Sequence, residues 1–323
     1  MFKSLIMRTN YSIGIDVGGK NTDIGLVSAE GTCLGRKNLP TNQYYDASVY
    51  VADIWAKIQE LMRDHGVKAI DGIGIAAPLG NYYTGCIENA TNLNFKGVVD
   101  LKKLFSQYTS VPVVVSNDAN AAAYGELVYG GAKGMKHIVM FTLGTGVGSG
   151  IVVDGKLLHG KNGGAGELGH AILIPGGRLC GCGRKGCLET YASATGIRNS
   201  ALELLDKHPE YQGALSKIER DKLTSKDVGD AANAGDSLAL EVMEQTGNLL
   251  GLAMANAVTF SEPEAVFLMG GPVRAGKVLL DPVRRSFEKH LCFVYKGKVE
   301  LRVSELPNND AAILGAAALV ELG

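Results

Sequence analysis

Residues 166–190 read GELGHAILIPGGRLCGCGRKGCLET. One His, three Cys and two Glu are packed into a short, Gly-rich, turn-like stretch. His170, Cys180, Cys182 and Cys187 form the donor set that closes a tetrahedral zinc site. Glu167 and Glu189 flank those donors. A metal that folds this loop therefore also fixes two carboxylates in space, and so ties a structural ion to a polar, sugar-sized site. The competing readings are buried thiols or a disulfide. Cys180 and Cys182 are too close in sequence to bridge comfortably, and the start of the chain, MFKSLIMRTN, has no apolar core of signal-peptide length. A His preceding a C-x-C-x4-C run favours zinc, although it is not a standard finger spacing. The isolated Cys33, Cys86 and Cys292 read as small buried hydrophobes.

The chain has 323 residues, 46% of them hydrophobic, and a formal net charge of −1. That length supports two domains and an ample core. Near-neutral charge argues against a nucleic-acid surface or a polybasic membrane contact. Six cysteines without an export signal point to a reducing cytoplasm. No uninterrupted apolar stretch is long enough for a membrane span. Glycine is abundant, at 43 residues, and falls between strands, where backbone approaches a ligand or another backbone closely.

Residues 13–16 read as a strand that ends in Gly18-Gly19, and residues 24–27 resume as a second strand. The pattern returns at residues 138–143, then GTGVGSG, then a strand at 151–153. This weak internal repeat predicts two related domains facing each other. Residues 48–65 have helical spacing, with Val51, Ile54, Trp55, Ile58, Leu61 and Met62 on one face. Strands are predicted at 70–76, 111–115, 265–269 and 299–303. Helices are predicted at 117–127, through much of 194–257, and at 310–322. The alternation gives a mixed α/β fold. The expected division is a smaller domain, 1–117, and a larger one with the zinc loop, 118–307, the closing helix 308–323 packing back on the first.

Four turns carry chemistry. Asp16-Val-Gly18-Gly19-Lys20-Asn21 is a tight hairpin whose backbone N–H groups can cradle phosphate, with Asp16 placed to position hydrated Mg²⁺; an ordinary hairpin is the alternative. In Gly144-Thr145-Gly146-Val-Gly148-Ser-Gly150, Thr145 and backbone amides can bind the phosphates of a nucleotide. It is neither a Rossmann fingerprint nor a P-loop. Gly270-Gly271 follows a buried strand and suits an adenosine contact, or simply a strand-to-helix turn. Asn117-Asp118 stands between an apolar strand and an Ala-rich helix. Either residue can cap that helix. Alternatively, Asp118 is a general base for a substrate hydroxyl and Asn117 binds a neighbouring one.

Together these turns resemble the ROK family of sugar kinases and repressors, within the actin/hexokinase/Hsp70 superfamily. The resemblance runs from Ile13 to the last helix and is most specific at Glu167-Leu-Gly-His170 and Cys180-Gly-Cys182-Gly-Arg-Lys-Gly-Cys187-Leu-Glu189. It implies two ribonuclease-H-like (actin-like ATPase) domains with a cleft between them. It also implies zinc on His170, Cys180, Cys182 and Cys187, and sugar contacts from Asn117, Asp118, Glu167, His170 and Glu189. Asp118 is implied as catalytic base. Pro78-Leu79-Gly80 and Ala90-Thr-Asn92-Leu resemble the sugar-side loops, adding Gly80 and Asn92. If His170 serves both metal and sugar, its two ring nitrogens must divide the tasks. The family's first phosphate loop usually reads Asp-x-Gly-Gly-Thr; here Lys20 replaces the Thr, and Asp23 stands where many relatives carry Lys. Lys brings a full charge on a long stem in place of a small hydroxyl.

The function expected is ATP-dependent phosphorylation of a hexose at its 6-hydroxyl, glucose first, with Mg²⁺ and structural zinc, in a cytoplasmic homodimer without nucleic-acid or membrane partners. The rivals are a sugar-binding ROK-type protein with weak or no kinase activity, and a ROK transcriptional regulator lacking its DNA-binding segment. Only twelve residues precede the strand at Ile13, too few for a helix-turn-helix module.

Overall fold

A computed structural model of the chain describes residues 9–307 and 309–323. The reading of MFKSLIMRTN rests largely on residues 1–8, which lie outside the described residues, as does Asn308 at the head of the expected closing helix. The chain divides into two compact units. The first runs to Gly134 and adds Leu157–Ala165 and Glu305–Gly323; the second holds Met135–Lys156 and Gly166–Ser304.

In the first unit, strands β1 (Tyr11–Val17), β2 (Thr22–Ser28) and β3 (Cys33–Leu39) form an antiparallel meander. Helix α1 (Ala47–Asp64) follows, capped by the Asp46 carboxylate, which accepts from Ser48 N at 2.7 Å. Its Val51, Ile54, Ile58 and Leu61 are buried against Ile13, Ile15, Ile24 and Leu26; Trp55 and Met62 pack at the edge. Strand β4 (Ile73–Ala76) is followed by a small sheet of β5 (Gly80–Asn81), β6 (Cys86–Glu88) and β7 (Val98–Asp100), then α2 (Leu101–Phe105), β8 (Val113–Ser116) and α3 (Asp118–Tyr129). The main sheet has the order β3-β2-β1-β4-β8, with β4 parallel to both β1 and β8.

The second unit repeats this plan. Strands β9 (Ile138–Leu143), β10 (Val147–Val153) and β11 (Lys156–Leu157) precede the Cys-rich loop. Helices α4 (Glu189–Ala192), α5 (Ala194–Lys207), α6 (Ser225–Asn233) and α7 (Ser237–Ser261) come next, then β12 (Ala265–Gly270), α8 (Lys277–His290) and β13 (Glu300–Val303). Its sheet has the order β11-β10-β9-β12-β13, with β12 parallel to β9 and β13. Two sheets of the same order fit the two related domains expected from the repeated hairpins and the mixed α/β, ribonuclease-H-like fold that the resemblance implies. No helix among the described residues is long and apolar enough to cross a membrane.

Helix α9 (Ala311–Ala318) returns to the first unit and packs on β1, β4 and α3. Two glycines permit this. A Cβ on Gly14 would lie 2.1 Å from the Ile313 carbonyl oxygen, and one on Gly74 only 1.8 Å from that of Ala316. Helix backbone thus lies directly on sheet backbone. The packing of α9 against α3 also explains why the compact units differ from the expected division at 117/118: α3 stays with the first unit, and the chain passes to the second after Gly134.

Other differences are local. β10 begins at Val147, so Gly148 and Gly150 are strand residues paired with Thr142 and Met140, and the tip is only Gly144–Gly146. Ladder pairing outweighs glycine's poor strand preference there. β4 begins at Ile73, three residues later than its apolar run. Cys86 is buried, Cys33 half-buried and Cys292 exposed, so the buried-thiol reading fails for Cys292. It precedes a short exposed turn rather than a core element.

Gly74→Ala should lower the urea-unfolding free energy by about 3 kcal/mol or more, because the methyl meets main chain that cannot swing aside. A variant with the parent's unfolding midpoint would contradict the backbone-on-backbone contact.

Candidate functional site

In the first unit, β1, β4 and β8 are parallel neighbours, so their carboxyl ends lie along one rim. This is where open α/β sheets bind ligands. β1 ends beyond Asp16 and turns through Gly18–Asn21, the Gly18 N–H donating to Asn21 O at 2.9 Å. Lys20 and Asn21 are exposed at the tip. A Cβ on Gly19 would stand 3.0 Å from the Asn92 carbonyl, so the first phosphate-type loop and the 90–93 loop are neighbours. Beyond β4, Gly80 packs over the end of β8, where a Cβ would come within 2.4 Å of Ser116 O. Leu79 beside it is exposed, with φ of 53°.

From β8 the chain enters α3 through Asn117 and Asp118. Asn117 Oδ1 accepts from Asn120 N at 2.7 Å, so the capping reading holds for Asn117. That leaves its amide N–H groups for a ligand. Asp118 retains solvent access, yet the protein packed around its carboxyl raises its pKa above the usual carboxylate value. Asp16 is pushed up to about 6, chiefly by burial, then by the neighbouring charges of Asp118 and Asp23. The first unit therefore gathers Asp16, the Gly18–Asn21 turn, Asn92, Gly80, Asn117 and Asp118.

The second unit carries the rest. The ligand atoms of His170, Cys180, Cys182 and Cys187 all lie within 4.8 Å of one another. His170 Nδ1 is 3.5 Å from Cys180 Sγ, and the sulfurs of Cys182 and Cys187 are 3.7 Å apart. A tetrahedral zinc with Zn–S of about 2.3 Å and Zn–N of about 2.0 Å has edges of about 3.5 and 3.8 Å, so the donor set fits the ion. Nδ1 faces the sulfurs, which leaves Nε2 for another partner. The loop is folded tightly around this cluster: Cys180 N donates to Arg184 O at 2.8 Å and Gly183 N to Cys180 O at 2.9 Å. Hydrogen bonds from the Arg184 backbone and side chain draw the Cys182 thiol down to about 6.

Glu189 opens α4 two residues after the last cysteine. Its Oε2 accepts from Val147 N at 3.1 Å, and the Cys180 thiol lies 3.6 Å from its Oε1. A Cβ on Gly146 would sit 2.3 Å from Glu189 Oε2, so this tip glycine admits the carboxylate. Gly144 and Thr145 are exposed; the Gly144 carbonyl accepts from Ala194 N and that of Thr145 from Thr195 Oγ1, both at 2.9 Å. Gly270, with φ of 118°, crosses the Leu143 carbonyl and brings Gly271 to this same end of the sheet. Glu167 is exposed at the entry to the short turn Leu168–His170.

Two supports were missed by the sequence reading. Thr22, Thr41 and Tyr50 are fully buried, and their hydroxyls meet at 2.7 and 2.5 Å beneath the first hairpin. Arg178 clamps the metal loop to the following helices. It binds Glu203 through two nitrogens at 2.7 Å, donates to Thr190 O at 2.7 Å and lies over the Tyr191 ring. Only a charged residue inside a Cys-rich loop hinted at it.

Residues 12–322 match the ROK family. A glucokinase from Halalkalibacterium halodurans is 39% identical over 98% of this chain and 96% of its own length. A crystal structure of a ROK family glucokinase from Streptomyces griseus, in complex with glucose and AMPPNP, is 32% identical with a TM-score of 0.79, covering 97% of this chain and 100% of that one. A ROK family transcriptional regulator homologous to the E. coli MLC protein is 26% identical with a TM-score of 0.84, covering 97% of this chain and 78% of its own. Enzyme and regulator share the fold, so fold alone does not choose between them. With its paired actin-like ATPase sheets and its Cys₃His loop, this chain belongs to the ROK family.

Proposed function

We propose that this chain is an ATP-dependent glucose kinase acting on the 6-hydroxyl. The observation that carries the reading is the meeting of Asp118, Asp16 and the Gly18–Asn21 turn at the carboxyl ends of parallel strands. It is supported by 39% identity to a glucokinase over nearly the whole chain.

Asp118 is the general base. Its solvent access lets a hydroxyl approach, and its raised pKa brings it closer to neutrality, where proton transfer is more effective. The 6-hydroxyl proton passes to the Asp118 carboxylate as its oxygen bonds to the γ-phosphorus. The bond from that phosphorus to the bridging oxygen breaks, and ADP leaves. Asn117 donates its amide to a neighbouring sugar hydroxyl. Glu167, Glu189 and His170 Nε2 bind further hydroxyls, and Asn92 and the Gly80 loop complete the sugar contacts. The backbone amides of Gly18–Asn21 and Gly144–Gly146, with Lys20 and Thr145, hold the phosphates, while Gly270 and Gly271 border the adenosine. Such positioning and charge stabilisation account for most phosphoryl-transfer catalysis. Asp16 would hold a hydrated Mg²⁺, which when bound neutralises phosphate charge. His170, Cys180, Cys182 and Cys187 would hold zinc, which when bound supplies folding energy to the loop.

A coupled assay with glucose, ATP and Mg²⁺ tests the reading directly. Asp118→Asn should bind glucose as the parent does and lose at least about 10²-fold in kcat. Glucose binding by the parent without ADP release would instead make it a sugar-binding protein. Near-normal turnover by the variant would remove Asp118 from its role.

Asp16 supplies a second prediction. Its folded pKa is raised, so between about pH 4 and 6 the folded protein holds more protons than the unfolded chain. Stability is therefore lost as pH rises through that window, and the cost is complete above it. Without added metal, Asp16→Asn should be about 1–3 kcal/mol more stable than the parent at pH 7, with the gain shrinking toward pH 4, while its Mg²⁺-dependent activity collapses. A variant equally or less stable at pH 7 would contradict the burial of a charged Asp16.

A further inference from the structure

Glu167 is exposed and stands at the entry to a single short turn, so its own element offers little to hold it. The support comes from β10. Ser149 is buried, at 3% exposure, and its hydroxyl bonds to the main chain on both sides of Glu167. It donates to the Gly166 carbonyl and accepts from Leu168 N at 3.0 Å. One side chain thereby pins the two peptides that bracket the carboxylate. The contact is reinforced two residues along β10. A Cβ on Gly169 would fall 1.9 Å from the Val147 carbonyl, so the Leu168–His170 turn lies flat on that strand. Val147 N in turn donates to Glu189 Oε2 at 3.1 Å. The strand leaving the Gly144–Gly146 tip therefore touches the supports of both acids.

We propose that Ser149 is the positioning residue for Glu167, setting glucose affinity without touching sugar, nucleotide or metal. Its hydroxyl bonds one half-buried acceptor and one half-buried donor at once, which no apolar residue of similar size can do. Removing it leaves the Gly166 carbonyl and the Leu168 N–H only their bond to each other, at 2.9 Å, so the Glu167 main chain loses its side-chain tie to β10 and its fixed height above the strand. A carboxylate held loosely binds a hydroxyl less well, because ordering it is then charged to binding. The proposal rests on Glu167 being a sugar-binding residue in the reading above.

The test is Ser149→Ala in the full-length protein, alone and combined with Glu167→Ala, with kcat/KM measured separately for glucose and for ATP. If the parent phosphorylates no glucose, the kinase reading itself falls. With an active parent, Ser149→Ala should raise the KM for glucose about three- to tenfold, with kcat, the KM for ATP and the zinc content at parental values. In the Glu167→Ala background the same change should lower glucose kcat/KM less than about twofold, because the group it positions is gone. Three results would overturn the proposal. One is an unchanged glucose KM. Another is a penalty of equal size in both backgrounds. The third is a parallel loss of kcat, ATP KM and zinc, the mark of general unfolding.

Discussion

The second unit brings four ligand atoms, from His170, Cys180, Cys182 and Cys187, within 4.8 Å of one another, and the proposed site depends on that cluster. The loop that carries them has exposed Gly181, Cys182, Gly183, Arg184 and Lys185, and it contains no helix longer than a single turn. Such a segment buries too little to order itself. A metal on His170 and the three thiolates, as proposed above, would offset that entropy. Its consequences reach past the loop, because Glu189 begins the next helix and Glu167 begins the turn that delivers His170. Arg178 carries the order onward by tying the loop to α4 and α5.

The first unit solves a different problem by different means. Its chemistry sits at strand ends, where a parallel sheet delivers main-chain groups and side chains to one rim. Burial there works against charge: the same packing that places Asp16 and Asp118 together raises the pKa of both. Stability is given up for carboxylates tuned toward neutral pH, a common arrangement at catalytic positions. The unit recovers order elsewhere, through the hydroxyl cluster of Thr22, Thr41 and Tyr50 and through α9 lying on Gly14 and Gly74.

Much of this was legible in the chain itself. Short β-rich runs beside Gly-rich turns marked β1, β2 and β9, helical spacing marked α1, and the spacing of donors marked the Cys₃His cluster. What was not legible followed from long-range contact. Gly148 and Gly150 looked like turn residues, and only their pairing with Thr142 and Met140 makes them strand. Gly14 and Gly74 gave no hint that a helix from the far end of the chain would lie across them. The three short strands β5, β6 and β7 are too brief for any periodicity to announce. Ser149 was hidden in a run of glycines read for phosphate alone, although its hydroxyl serves the turn carrying Glu167. Asn117 and Asp118 read as open to capping or catalysis: Asn117 caps α3, and Asp118 has a carboxyl whose pKa is raised in a solvent-reachable position.

The central claim of the proposal for the second unit is that a metal on His170, Cys180, Cys182 and Cys187 would order its acids. Metal analysis of purified protein, paired with calorimetric titration of glucose before and after a zinc-selective chelator, examines it most directly. About one zinc per chain is expected, and its removal should weaken glucose binding at least about tenfold. Protein that carries no stoichiometric metal, and binds glucose equally well with the chelator present, would contradict it.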